Sequence, residues 1–312
     1  MKILITGVHG FVGSNLVKAL SEEHTIYGLD IVSPIKDGVR YTFSWDFLDK
    51  PDEIPEVDAI IHLAGKAHDT KNQSAADVYF KVNTKLTKKI YDYFLASKKT
   101  KKFIFFSTAK AAADKVDGIL TEDVVPSPVG PYGESKIAAE KYIQEHLVKE
   151  KQVYILRPCM IHGPGNKGNL NLLYGVVKKG IPWPLGAFEN KRTFTSIDNL
   201  CFIIGALLTQ NVESGIYNIN DDEAVSTNEL IDIICSAMGK KAHIWRIPRG
   251  LMEGVAKIGG ALHLPLNAER LQKLTENYVS SNAKIKKALG IKELPVRAQE
   301  GLTKTIKSFE GK

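Results

Sequence analysis

Cysteine is scarce: Cys159, Cys201 and Cys235 are three isolated thiols, odd in number and without paired spacing. That excludes a disulfide framework and a cysteine zinc cluster, and it fits a reducing compartment. Long apolar runs are missing too. The most apolar helical stretch, residues 201–208, falls far short of the roughly 18 residues that mark a bilayer-crossing helix. No secretory leader pattern opens the chain, because residues 2–6 already read as a strand. The eight histidines lack ligand spacing, so no metal site is expected. A G-x-S-x-G elbow is absent and Ser14 falls inside the first helix, which excludes a serine hydrolase. There are no internal repeats and no low-complexity tracts. The expectation is a cytoplasmic chain with no integral membrane segment.

Charge is present but dispersed. Forty-two Lys and Arg against 35 Asp and Glu leave +7 over 312 residues. Lysines come in scattered pairs, such as Lys98-Lys99, Lys178-Lys179 and Lys240-Lys241, mostly near predicted helix ends where cations suit the dipole. Aromatic residues do not interleave with them, and no recognition helix is evident, so no nucleic-acid partner is expected. A solvated face accounts for most of the surplus. A small anionic substrate, or a loose association with an anionic surface, is the alternative.

What is present is alternation. Apolar strand patterns at 3–6, 25–29, 41–45, 57–63, 103–107 and 153–156 are separated by helical patterns at 11–20, 77–96 and 132–148. Short apolar strands divided by helices predict a parallel sheet with right-handed crossovers, an α/β fold. Beyond Arg157 the chain turns rich in Pro and Gly. Residues 1–157 are therefore expected to form one α/β domain, with 193–219 returning to its sheet. A smaller lobe is expected from 158–192 and 220–312. Later helices are predicted at 227–238, 251–261 and 298–309, with short strands near 192–197, 215–219 and 243–247.

After the first strand comes Gly7-Val8-His9-Gly10-Phe11-Val12-Gly13, opening a helix. Glycines there permit a tight turn and let the backbone approach a pyrophosphate, while the helix start offers free N–H groups. Asp30 ends the next strand, in Gly28-Leu29-Asp30. A carboxylate at that point accepts from an adenosine ribose and repels a 2′-phosphate, so NAD is expected over NADP.

Downstream stands Tyr132-Gly133-Glu134-Ser135-Lys136. Four residues apart on a helix puts Tyr132 and Lys136 on one face. A tyrosine of pKa about 10 is a poor base unless a nearby positive charge favours its phenolate.

With these motifs the chain resembles the extended short-chain dehydrogenase/reductases, the NAD-dependent epimerase/dehydratase family. The resemblance implies a Rossmann-type doubly wound sheet with a smaller C-terminal substrate lobe. It implies NAD held by Gly7, Gly10, Phe11, Val12, Gly13 and Asp30, with Asp46-Phe47 beside adenine. Leu63-Ala64-Gly65 (after His62), Asn83, Ser107, Tyr132, Lys136 and Pro158 complete the cofactor set, although Leu86 stands where the Asn83 motif usually carries glycine. It makes Tyr132, Lys136 and Thr108 the catalytic group, the register of Ser107 and Thr108 at the strand end being open. Thr108, Ala109, Lys110, Asn169 and Arg192 are implied on the substrate side, Arg192 as a two-pronged clamp for a diphosphate.

The resemblance implies a UDP-sugar or other nucleotide-sugar substrate and leaves room for a homodimer. Dehydratases of this family carry an acidic pair after the threonine; Ala109 and Lys110 stand there, so dehydration is not expected. Typical 4-epimerases have asparagine where Met160 stands and tyrosine where His162 stands, and Arg270 is a weak candidate for their second phosphate-binding arginine. The resulting expectation is redox at C4 of a hexose or N-acetylhexosamine for surface-polysaccharide precursors. It leans to a 4-keto reductase, with a UDP-sugar 4-epimerase as the alternative. A non-catalytic NAD-sensing regulator is the rival of another class; it has no need of the Tyr132–Lys136 pair.

Overall fold

The computed structural model describes residues 1–49, 55–66, 75–166, 168–261 and 266–310. In chain order its strands are β1 (Lys2–Thr6), β2 (Thr25–Leu29), β3 (Val39–Phe43), β4 (Ala59–His62), β5 (Lys102–Phe106), β6 (Ile119–Leu120), β7 (Gln152–Pro158), β8 (Met160–His162), β9 (Phe194–Ser196), β10 (Gly215–Ile219) and β11 (Val279–Ser280). The α-helices are α1 (Phe11–Leu20), α2 (Ala76–Tyr79), α3 (Leu86–Ala96), α4 (Ala109–Ala112), α5 (Pro131–Glu145), α6 (Asn169–Lys178), α7 (Ile197–Thr209), α8 (Thr227–Ala237), α9 (Arg249–Ala261), α10 (Ala268–Thr275), α11 (Ala283–Leu289) and α12 (Ala298–Lys307).

Seven strands form one parallel sheet in the order β10-β7-β5-β4-β1-β2-β3, a doubly wound Rossmann-type arrangement. The central strands are apolar at successive positions, because helices cover both faces. Ile3 and Ile5 pack with Leu16 of α1 and with Leu200, Ile203 and Leu207 of α7. Leu4, Ile60 and Phe103 face the other way, onto Ile90 and Phe94 of α3 and Ile143 of α5. The strand order reverses between β1 and β4, which leaves a crevice at their C-terminal ends. A second core joins α6, α8, α9, α10 and α12 through Leu170, Ile234, Met252, Leu271 and Leu302. Two short parallel pairs, β8–β9 and β6–β11, stitch the later chain to the earlier.

Two local expectations are revised. The helix read over 77–96 is interrupted by a π-helical turn, Phe80–Lys85, whose wider winding brings both Asn83 and Thr84 into the interior. The strand expected at 243–247 forms only two isolated bridges, Trp183 with Ile244 and Leu185 with Arg246. Its partner segment carries Pro182 and Pro184, which have no N–H to donate to a ladder.

Candidate active site

The Gly-rich loop is built by close approach. Gly7 turns at φ 70°, and its carbonyl accepts from the Gly10 N–H at 3.0 Å. A Cβ on Gly13 would lie 2.4 Å from the Gly7 oxygen and 2.8 Å from Val8 Cα, so only glycine lets α1 start this near β1. Gly10 caps α1, and the first-turn N–H groups of Phe11, Val12 and Gly13 open onto the crevice end of the sheet. A backbone cradle, a positive helix end and no intervening Cβ fit a dinucleotide pyrophosphate.

Asp30 braces that loop: its carboxylate accepts from His9 N at 3.0 Å and from Ile31 N at 2.7 Å. Lys36 donates to Ser14 Oγ at 2.6 Å and lies within the field of Asp30. Burial and neighbouring Lys18 nonetheless hold its ammonium below its ordinary pKa. No sequence pattern marks Lys36. Asp46 is exposed in the 3₁₀ turn after β3, and Phe47 packs edge-on against Phe43 at 4.7 Å.

Leu63-Ala64-Gly65 runs beside Gly7, with the Ala64 N–H donating to Thr6 Oγ1 at 3.0 Å. At Gly65 two polar side chains converge: an added Cβ would meet Asn83 Oδ1 at 3.0 Å and Lys136 Nζ at 3.1 Å. Asn83 uses its amide to hold this corner, exchanging bonds with both backbone groups of Lys66 at 2.7 and 3.1 Å and donating to Ser135 Oγ at 3.0 Å. Its geometry is that of a brace between the β4 loop and α5.

α5 begins at Pro131, preset for a first helical turn, after Gly130 at φ 84°. Tyr132 is half-buried and its hydroxyl is hydrogen-bonded to Thr108. Desolvation raises its pKa, the Thr108 bond lowers it, and Tyr79, whose ring lies 6.4 Å away edge-on, raises it again. Burial outweighs the phenolate-favouring contact. Lys136 is buried, donates to the Phe106 carbonyl at 2.7 Å, and is pulled down to about 8 by burial, with Glu140 opposing.

The strand-end hydroxyls separate cleanly. Thr108 turns to Tyr132, while Ser107 donates to the carboxylate of Glu140, one turn beyond Lys136. Arg157 grips the same carboxylate, Nε at 3.1 and 3.2 Å and Nη2 at 2.6 Å. Arg157 is fully buried. Glu140 was legible only as a third residue on the Tyr132–Lys136 face.

On the substrate side, Ala109 is buried and Lys110 is paired with Asp114 at 2.8 Å, its ammonium 4.9 Å above the Tyr278 ring. Arg192 donates to the Lys273 carbonyl at 2.6 Å, and Cys159, Tyr278 and Glu276 lie within its field. Pro158 ends β7, in register with Ile219. Asn169 opens α6, but its side chain lies outside the described set. Arg270 is in α10, its N–H capped by Asn267 at 2.9 Å. His162 is sealed inside, bonded to Thr305 Oγ1 at 2.9 Å and facing Asp221 at 3.4 Å, so it cannot stand in for a substrate-facing tyrosine. Among the described residues no cluster of His, Cys, Asp and Glu is arranged for a metal.

Fold and site together define a nicotinamide-dependent enzyme of the extended short-chain dehydrogenase/reductase type. Residues 3–220 match the NAD dependent epimerase/dehydratase family, and the chain belongs to it. The UDP-glucose 4-epimerase of Vibrio cholerae is 31% identical, spanning 98% of this chain and 95% of its own length. The GDP-6-deoxy-D-talose 4-dehydrogenase of Aggregatibacter actinomycetemcomitans is 27% identical across 75% of this chain and 79% of its own. In fold, the crystal structure of UDP-glucuronic acid 4-epimerase from Bacillus cereus in complex with NAD matches with a TM-score of 0.76, at 22% identity, covering 100% of this chain and 99% of that one.

Proposed function

We propose that this chain is a UDP-sugar 4-epimerase working by transient oxidation at C4. The observation that carries the chemistry is the hydroxyl pair Tyr132–Thr108, set at the end of β5 beside buried Lys136. NAD, held by the Gly7–Gly13 loop, Asp30, the Leu63–Gly65 segment and Lys136, supplies the hydride acceptor and donor when bound. Thr108 holds the 4-oxygen of the sugar, and Tyr132 takes its proton and later returns it. Burial works against the phenolate, and the Thr108 bond is the contact that opposes it. Arg192 binds the diphosphate, and that remote binding energy positions C4. Ala109 and Lys110 supply no acid–base pair for dehydration.

One thing moves the reading from reductase to epimerase: the Vibrio cholerae relative, a 4-epimerase by name, aligns with nearly the whole chain. Met160, half-buried at the start of β8, and His162, sealed inside, remain the features that favour a 4-keto reductase. A regulator that merely sensed NAD would have no use for Tyr132 and Thr108 in hydrogen-bond contact.

The test incubates the enzyme with UDP-glucose, UDP-GlcNAc and a UDP-4-keto-6-deoxy sugar, with and without NADH. Formation of a C4 epimer from either of the first two without added NADH is expected. Stoichiometric NADH consumption with the keto sugar alone would replace this reading by the reductase.

A further inference from the structure

Helix α9 is apolar on two sides. Inward, Met252 and Ala256 join the lobe core with Leu271 of α10. Outward, Leu251, Val255 and Ile258 are 61%, 43% and 61% exposed. Their spacing, i, i+4 and i+7, lines them into one stripe along the helix. Just before the helix Trp245 is 56% exposed. Single exposed apolar side chains are ordinary on a protein surface, but a helical stripe of three, with an exposed tryptophan four residues before the helix, is not. Arg246, Arg249 and Lys257 are exposed on the same segment, against one acid, Glu253. Arg249 is held in place, donating to the Ala187 carbonyl at 2.9 Å with its guanidinium 5.7 Å from the Phe188 ring centre.

We propose that this face docks on an anionic lipid bilayer. Charge complementarity selects the occupant. An apolar stripe with tryptophan at its end and cations around it is the pattern of a helix lying in the headgroup region, where the rings and stems sink in and the charges meet lipid phosphates. The attachment is peripheral, since no helix among the described residues is long and apolar enough to cross a membrane.

Flotation of the full-length protein with NAD tests this, using vesicles of phosphatidylcholine alone and vesicles that also contain phosphatidylglycerol. Wild type is expected to float with the anionic vesicles only and to be released by salt. The variant carrying Leu251→Ser, Val255→Ser and Ile258→Ser should partition at least ~50-fold less, the scale of several buried apolar side chains. Lys257→Ala, which leaves the stripe intact and guards against misfolding of the triple variant, should partition about fivefold less. The proposal is overturned if wild type stays in solution with both vesicles or if the triple variant floats like wild type. It is equally overturned if the stripe residues prove to hold a soluble dimer that the triple variant splits, which assigns the face to a second copy. Flotation does not depend on turnover, so failure here leaves the C4 chemistry untouched.

Discussion

Glu140 and Arg157 meet as a buried pair, Nη2 to Oε2 at 2.6 Å, with neither side chain in contact with water. Glu140 sits one turn past Lys136 and is the charge that raises its pKa against burial. Replacing Glu140 by Gln strands the guanidinium in the interior, where breaking such a pair costs about 3–5 kcal/mol. It also removes the group that raises Lys136. Chemical denaturation should show the stability loss. Calorimetric titration of NAD against pH should show affinity failing at lower pH in the variant than in wild type, where Lys136 loses its proton at about 8. Unchanged stability together with an unchanged pH profile would deny the pair this role.

His62 makes stability pH-dependent on the acid side. It is fully buried between Thr6 Oγ1 at 2.7 Å and Thr87 Oγ1 at 2.9 Å, and burial, with Lys136 adding to it, pushes its pKa down to about 3. The unfolded chain takes up this proton near pH 6.5, the folded chain only near 3, so between those values the unfolded state binds more protons. Stability is complete above about pH 6.5 and falls as pH drops, by up to about 1.4 kcal/mol per unit from this one group. Denaturant melts from pH 7 to 4 should show a shallower decline for His62→Gln, whatever its stability at neutral pH.

Tyr132→Phe deletes the proton-carrying oxygen while keeping the ring against Tyr79. Turnover should drop about 10²-fold or more, the range for a general acid–base, with NAD affinity retained. Thr108→Val, which takes away its hydrogen-bond partner, should also move the rising limb of the pH–rate profile to higher pH, because the bond to Thr108 lowers the Tyr132 pKa. Normal turnover in Tyr132→Phe on the true substrate would remove the assigned mechanism.

Asp30→Ala probes cofactor choice. Titration with NAD and NADP should show a clear preference for NAD in wild type and a weakened one in the variant. Some NAD affinity will be lost as well, because the same carboxylate pins His9 N and Ile31 N. With Asp30 gone, Lys36 is the cation left to meet a 2′-phosphate. Equal affinities in wild type would refute the preference.

Residues with a local task were readable from sequence. Gly7 and Gly13 are demanded by contacts within their own loop, and the four-residue step from Tyr132 to Lys136 follows from helix geometry. Long-range partners were not readable. His162 stands in sequence where typical 4-epimerases carry tyrosine, yet its bonds run to Thr305, 143 residues on, and to Asp221. Arg157 likewise takes its meaning from Glu140, which no motif ties to it. The π-turn at Phe80–Lys85 was read as plain helix, since a single extra residue in a turn leaves the apolar spacing nearly unchanged.

The placement of β10 and α7 bears on how the chain reaches its native state. β10 is the sheet's last strand beyond β7, and α7 shares with α1 the face that carries Ile3 and Ile5, so residues 1–157 alone leave that face covered by α1 but not by α7. At ribosomal rates of about 5–20 residues per second, that half waits roughly 3–12 s for residues up to 219 to be made. Non-local closure of this kind slows folding and exposes sheet meanwhile. A fragment cut at residue 157 should collect in inclusion bodies, and the nascent full-length chain should depend on a holding chaperone until β10 docks.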